Sequence, residues 1–318
     1  MPDRKVTVVA FGGNALIREG EPGLEQTQME HAAKLASELV GFVENGHRLL
    51  LVHGNGPQVG NSLIRMEESV AKVPPLSLHS CVAETQGSIG CHLELALRSA
   101  LGERGQVVTI FTPVEVSEDD PRIDKPSKPV GPFYSPYRAD YLVRVLDWEM
   151  VEDSGRGYRR VVPSPKPIRI LNASLVDALL DRAEVVIAGG GGGVPVARIG
   201  DRMVGVEAVI DKDYTAALLA SAVRADLFLI LTAVDHVSLR FGKPDATPIE
   251  RMTVSEAERY LAEDHFPPGS MGPKIEAGIT FAKERGGEVL ITSVEAMAEA
   301  FAGRAGTRIV PNEKGNRS

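Results

Sequence analysis

Val6-Thr7-Val8-Val9-Ala10-Phe11 runs directly into Gly12-Gly13-Asn14. A short apolar run that closes on two glycines reads as a strand buried on both faces and ending in a tight turn. Working outward from it, further β-rich apolar runs occur at 48–53, 107–111, 184–188, 227–232 and 289–292. Between them lie helical patterns. Within 24–44, Ala32, Leu35, Leu39, Val40 and Val43 recur at helical spacing, and further helices are predicted over 213–223 and 273–285. Strands that alternate with helices predict an α/β fold with a mainly parallel sheet covered on both faces.

One stretch breaks this rhythm. Residues 117–168 carry Pro121, Pro126, Pro129, Pro132, Pro136, Pro163, Pro165 and Pro167, which interrupt regular ladders. The stretch is too long for an ordinary surface loop. Phe133, Tyr134, Tyr137, Trp148 and Tyr158 supply apolar anchors that a disordered insertion would lack. The expectation is a small subdomain at 117–168, placed to act as a lid and inserted into one domain spanning 1–318.

Composition narrows the class. The 318 residues are 43% hydrophobic and 25% charged, as in a soluble globular protein. The net charge of −8 argues against a nucleic-acid partner, although a local group of lysines can still dominate its own pocket. There is no run of about 18 apolar residues, so no membrane span is expected. The start, MPDRKVTVVAFGGNAL, lacks the pattern of a signal peptide. Two cysteines, Cys81 and Cys91, are too few for a disulfide framework, so a reducing cytoplasm is the expected setting. His79, Cys81, Cys91 and His92 follow no metal-ligand spacing, and no protein metal site is expected.

Three glycine-rich segments sit at predicted strand ends: Gly12-Gly13-Asn14, His53-Gly54-Asn55-Gly56-Pro57, and five glycines from 189 to 193. Ligands of parallel sheets gather at such ends, and backbone N–H groups freed of side chains can cradle phosphate oxygens. Any one of these loops is explained equally well as a tight turn. Three in one chain favour an anion site. The phosphate-loop pattern GxxxxGK[ST] is absent. The spacing of Gly54, Gly56 and Gly60 is only a loose dinucleotide fingerprint, and no strand ending in an acidic residue follows it. A nicotinamide-dependent oxidoreductase is therefore the weaker reading. His53 beside the second loop has an ordinary explanation as a packed strand-end residue and receives no catalytic role.

Lysines are the natural partners of a transferred phosphoryl group, because that chemistry demands positioning and charge neutralisation. Lys128 lies in SKPVGPFY of the insertion, Lys212 in VIDKD before a helix, and Lys274 in GSMGPKIEA at a helix start. A cation in a helix's first turn opposes the dipole, which makes sense where a phosphate shares the site. Each lysine taken alone would more ordinarily be a solvated surface residue. Asp213 has two compatible roles, as the cap of the following helix or as a carboxylate between two lysines.

Together, AFGGNAL, VHGNGPQVGN, SKPVGPFY, EDSGRGYRRVVPSPKP, GGGGVPV, GVEAVIDKD, LTAVDHV and HFPPGSMGPKIEA resemble the carbamate kinases of the amino acid kinase family, in the right order along the chain. The resemblance implies an open three-layer αβα sandwich with a protruding subdomain, a homodimer, and ATP/ADP with Mg²⁺. It implies that carbamate or carbamoyl phosphate binds near Gly12, Gly13, Asn14, Gly54 and Asn55. Lys128 would reach in from the subdomain, and Lys212 and Lys274 would hold the phosphoryl group, organised by Asp213. Ala233, Val234, Asp235 and Met271 would contact the nucleotide. Relatives such as acetylglutamate kinase carry a lysine where Ala10 stands here, and Lys212 would supply that charge. The stretch 81–91 departs from the family pattern at Glu84 and Cys91. The alternatives are another acceptor of the same family, or an anion-binding regulatory domain, which should lack the lysine set.

Overall fold

The computed structural model describes residues 5–312 other than 19, 153, 154 and 268. The chain begins with β1 (Lys5–Phe11), α1 (Glu25–Glu44), β2 (His47–His53), α2 (Gly56–Ser69), α3 (Leu78–Leu101), β3 (Val107–Thr109) and β4 (Pro113–Val116). β5 (Lys128–Tyr134), α4 (Pro136–Leu146), β6 (Met150–Glu152) and β7 (Tyr158–Val162) follow. Next come β8 (Pro167–Ile170), α5 (Ala173–Leu180), β9 (Val185–Ile187), β10 (Val194–Ile199) and β11 (Arg202–Gly205). α6 (Lys212–Ala222), β12 (Leu227–Thr232), β13 (Val237–Leu239), β14 (Thr247–Ile249), β15 (Arg251–Thr253) and α7 (Val254–Ala262) lead to the last elements. These are α8 (Met271–Arg285), β16 (Glu288–Ser293), α9 (Met297–Phe301) and β17 (Thr307–Val310). The charged C-terminal stretch NEKGNRS, whose composition predicts a solvated tail, lies from 313 onward outside the described residues.

Eight strands form the main sheet in the order β15-β17-β16-β12-β1-β2-β9-β3. Its pairings are parallel except for β16 with β17. Side chains alternate across a strand, so β1 feeds two cores. Val8 and Ala10 pack with Leu50, Val52, Ala216, Leu219 and Phe281 on the face covered by α6 and α8. Val9 and Phe11 pack with Leu35, Leu39, Leu49, Ile89 and Leu93 on the face covered by α1 and α3. The result is the three-layer αβα sandwich. Because the central strands are parallel, the ends of β1, β2 and β12 reach one rim, and the turns at 12–14, 53–55 and 232–234 meet there.

The longest helix, α3, is absent from the sequence reading. Gly87 and Gly90 weaken its helical signal, yet the packing needs Gly90. A Cβ there would lie 2.4 Å from Thr109 Cγ2, so only glycine lets α3 pass this close to β3. Glu84 and Cys91 stand on its exposed side.

β4 and β8 explain the proline-rich stretch. They are antiparallel neighbours, with Val114 opposite Ile170, in a second sheet ordered β11-β10-β4-β8. The chain leaves after Val116, returns at Pro167, and in between builds a three-stranded antiparallel sheet, β5-β7-β6, with α4. Tyr134 and Trp148 meet edge to face at 6.5 Å, and the Arg160 guanidinium stacks 4.3 Å above Trp148. Tyr137 does not anchor the fold, being 83% exposed. The segment is docked on the body. Val130 and Val162 share a core with Val59, Leu63 and Val82. Arg138 pairs with Glu67 of α2. A Cβ on Gly60 would lie 2.4 Å from Gly131 Cα, so the backbones of α2 and β5 touch there.

Candidate active site

A cavity of about 690 Å³ opens at the carboxyl rim of the sheet. The N-terminal ends of α2, α6 and α8 line it through Gly56, Lys212 and Lys274. The positive dipole ends of three helices therefore face the same space, which favours an anion.

The lysines read from sequence converge on it. Lys212 Nζ donates to both Asp213 oxygens at 3.1 and 3.2 Å, and Lys274 Nζ donates to Oδ2 at 3.1 Å. The Asp213 side chain is 2% exposed, and those of Lys212 and Lys274 are 12% and 13% exposed. Two ammonium groups are thus held together in a nearly dry place by one carboxylate. Burial opposes the charge on Lys212, but Asp213 and Asp211 raise its pKa above the ordinary lysine value. Lys274 goes the other way, because burial and the Lys212 charge outweigh Asp213. Lys128, the first residue of β5, comes from the inserted segment and lines the same cavity. Its Nζ donates to Asp211 Oδ2 at 2.8 Å.

Sequence offered Asp213 as a helix cap, and the structure gives that role to Asp211. α6 begins at Lys212, and Asp211 Oδ1 accepts from the Asp213 N–H at 3.0 Å. Asp213, one residue inside the helix, is left for the lysines. Lys274 is the fourth residue of α8, and its Nζ also reaches the Ser270 carbonyl at 3.3 Å.

Gly12, Gly13, Asn14, Gly54 and Asn55 all line the cavity. A Cβ at Gly54 would lie 2.9 Å from the Gly13 nitrogen and 3.1 Å from Lys212 Cδ. Two turns and a lysine stem close around a position that only glycine fits. Asn55 is fixed from behind by its donor bond to Thr85 Oγ1 at 2.9 Å. The third glycine loop plays a different part from the other two. Only Gly191 of it reaches the cavity, and Gly190 and Gly191 press on His53 and Asn55. It props the second turn. His53 is buried there, its Nδ1–H donating to the Gly54 carbonyl at 2.9 Å. Burial holds its pKa down to about 4, so it is neutral at pH 7.

A second, smaller cavity of about 200 Å³ shares Thr232, Ala233, Ser270 and Lys274 with the first. Val234, Phe241, Phe266 and Met271 give it apolar walls. A site for a flat apolar group thus adjoins a site for anions, as a nucleotide requires. Asp235 lines neither cavity, and its carboxylate accepts from Ser293 Oγ at 2.5 Å.

Residues 5–293 match the amino acid kinase family. The chain belongs to that family. Among individual relatives, it is 45% identical over 297 residues to a carbamate kinase of Lentilactobacillus hilgardii, covering 92% of each chain. It is 43% identical over 314 residues to the carbamate kinase-like protein YahI of Escherichia coli (strain K12), covering 96% of this chain and 99% of that one. Among solved structures, a carbamate kinase from Giardia lamblia bound to AMP-PNP superposes with a TM-score of 0.90 at 36% identity, covering 98% of this chain and 100% of that one.

Sequence reasoning passed over three parts of this amino acid kinase site. Asp211 was visible as the residue before a helix start, where capping rules place an acceptor. Phe241 and Phe266 carried no local signal, because their wall is assembled from separate loops. Arg18, Lys34 and Glu295 form an outer charged edge of the large cavity, with Lys34 Nζ 3.1 Å from Glu295 Oε1. The residues present do not build a cage for Mg²⁺. Asp211 and Asp213 are already engaged by lysines, and among the described residues no three His, Cys, Asp or Glu side chains group as metal ligands. Among the described residues no helix is long and apolar enough to cross a membrane.

Proposed function

We propose that this protein is a carbamate kinase, which transfers a phosphoryl group reversibly between ATP and carbamate to give ADP and carbamoyl phosphate. One observation carries the reading: Lys212 and Lys274, bridged by Asp213, share one cavity with the glycine turns and with Lys128 from the inserted segment. The carbamate oxygen is already anionic. It attacks the γ-phosphorus in line, the new O–P bond forms, and the bond to the bridging oxygen breaks with its electron pair leaving on ADP. No proton has to move, so no general base is required. The difficulty is repulsion between two anions. Lysine charges and helix N-termini offset it, each well-placed partly buried group contributing about 2–4 kcal/mol to the transition state. ATP/ADP takes the apolar pocket with its base, near Ala233, Val234 and Met271, and points its phosphates at Lys274. Mg²⁺ would arrive with the nucleotide, since the described residues offer no cage for it.

Incubation with Mg-ADP and carbamoyl phosphate should yield ATP. Acetylglutamate, uridine monophosphate and acetyl phosphate serve as competing phosphoryl donors or, with Mg-ATP, as acceptors. Preference for one of these over carbamoyl phosphate and carbamate overturns the assignment. Lys274→Ala should lower turnover by about 10²-fold or more with the fold intact, and near-normal turnover removes Lys274 from the mechanism.

The segment 117–168 is the lid of this single-domain enzyme, supported by its docking on α2 and by Lys128 at the cavity. A homodimer is supported by exposed apolar Leu95, Phe111 and Leu175 beside the β3 edge, whose Val107 carbonyl and Thr109 N–H are taken by Arg98 and Glu94 of α3. Leu95→Arg should then convert the protein to a monomer in sedimentation, and an unchanged dimer moves the interface elsewhere. Its two free thiols suit the reducing cytoplasm.

A further inference from the structure

Among the described residues, several ion pairs tie the inserted segment to the body, and Lys128 makes the one that lies in the cavity. Arg138 of α4 holds Glu67, and Lys166 near the segment's return lies 3.4 Å from Glu276 of α8. Both lie away from the reacting groups. The third tie is Lys128 with Asp211, at 2.8 Å.

Asp211 has its two oxygens divided between two tasks. Oδ1 accepts from the Asp213 N–H and so starts α6. Oδ2 accepts from Lys128. The carboxylate that defines the first turn of α6, from which Lys212 and Asp213 project, therefore also fixes the ammonium that arrives from the insertion. The three cations are referenced to one helix start. Lysine is a long side chain with a large rotamer entropy, and a free Lys128 would have to be immobilised each time an anion bound. An ammonium has three N–H donors. One satisfies Asp211, and two remain for a ligand in the cavity.

Resting on the kinase reading above, we propose that Asp211 is a positioning residue: it docks the Lys128 end of the inserted segment on α6 and pre-orients that ammonium toward the phosphoryl donor or acceptor. It touches no reactant itself. The simplest competing account makes Asp211 a helix cap with an incidental ion pair. A second makes it a latch that withholds Lys128 from the ligand.

Asp211→Asn separates these. Its amide oxygen still caps α6, while the charge that holds Lys128 is gone. Asp211→Ser is the second variant, since serine caps as well and is too short to reach Lys128. Positioning predicts that both variants raise the KM for carbamoyl phosphate about tenfold or more, with the KM for ADP little changed. In a cycle with Lys128→Ala, the double variant should be no worse than Lys128→Ala alone. An unchanged KM in both capping variants means that Asp211 acts only as a cap, additive losses mean that it acts apart from Lys128, and a lowered KM means that it acts as a latch. Any of these results overturns the proposal.

Amide hydrogen exchange on the unliganded protein tests the docking without any reaction. Exchange over 126–131 should quicken to the same extent in Asp211→Asn, Lys128→Ala and the double variant, while 138–146, held through Arg138, stays protected. Unchanged exchange over 126–131 refutes the docking. If the wild-type protein makes no ATP from carbamoyl phosphate, the functional reading fails by itself and the exchange result still decides whether Asp211 holds the segment.

Discussion

Replacing Asp213 with asparagine removes one negative charge and no volume, and it should disable the enzyme more thoroughly than its stability loss would suggest. Each lysine contact is 3.1 Å long, and at an effective dielectric constant of about 20 such a contact represents roughly 5 kcal/mol of gross attraction. Desolvation offsets much of this, and breaking a buried pair costs about 3–5 kcal/mol net. The structure adds a sharper consequence. Lys274 already has a lowered pKa, from burial and from the Lys212 charge, and Asp213 is the principal group opposing that shift. In D213N the shift deepens, so the Lys274 proton is lost at lower pH than in the wild type. Turnover at pH 7 should fall by about 10²–10³-fold. The rate should also decline on the alkaline side at lower pH than in the wild type. The assay is ATP formation from carbamoyl phosphate and ADP across pH 6–9, beside a thermal melt. Inorganic phosphate should recover more of the lost Tm in D213N than it adds to the wild type, because an anion then separates two repelling ammonium groups. D213N turnover within threefold of wild type, with an unmoved alkaline limb, refutes the claim that Asp213 organises the lysines.

Two further outcomes follow from backbone contact and from burial. Gly60→Ala places a Cβ 2.4 Å from Gly131 Cα, so α2 and β5 must separate. A stability loss of about 1–3 kcal/mol and a raised KM for carbamoyl phosphate are expected by urea unfolding and steady-state kinetics, and a silent substitution shows that the segment is not held by that contact. His53 is neutral when folded, with its pKa held near 4 by burial against an ordinary 6.5. Its stabilising contribution is complete above pH 6.5 and is lost as pH falls toward 4, by up to about 3 kcal/mol. Urea unfolding at pH 7.5 and 5 should show a steeper loss in the wild type than in His53→Gln, and equal slopes refute the burial argument.

What sequence disclosed, and what it hid, follows physical range. Apolar runs placed the six strands assigned to the main sheet within two residues of their ends, because burial on both faces leaves a local imprint along the interiors of β1, β2 and β12. The strands of the second sheet left less of one. β4 and β8 are short, carry prolines and pair across the whole insertion, from Val114 to Ile170. The glycine turns and the three lysines were visible because their residue types are unusual in those settings. The apolar nucleotide wall was not, since Phe241 and Phe266 are ordinary until the fold brings them to Met271. VIDKD shows the limit most clearly. Starting the helix at Asp213 makes that residue both cap and clasp, and leaves Asp211 without a part. In the structure the helix starts one residue earlier. That single step moves the cap to Asp211, frees both Asp213 oxygens for Lys212 and Lys274, and brings the second Asp211 oxygen to Lys128. A one-residue boundary shift is ordinary in reading helix ends. Here it decides which of two aspartates holds the site's cations and which joins the insertion to them.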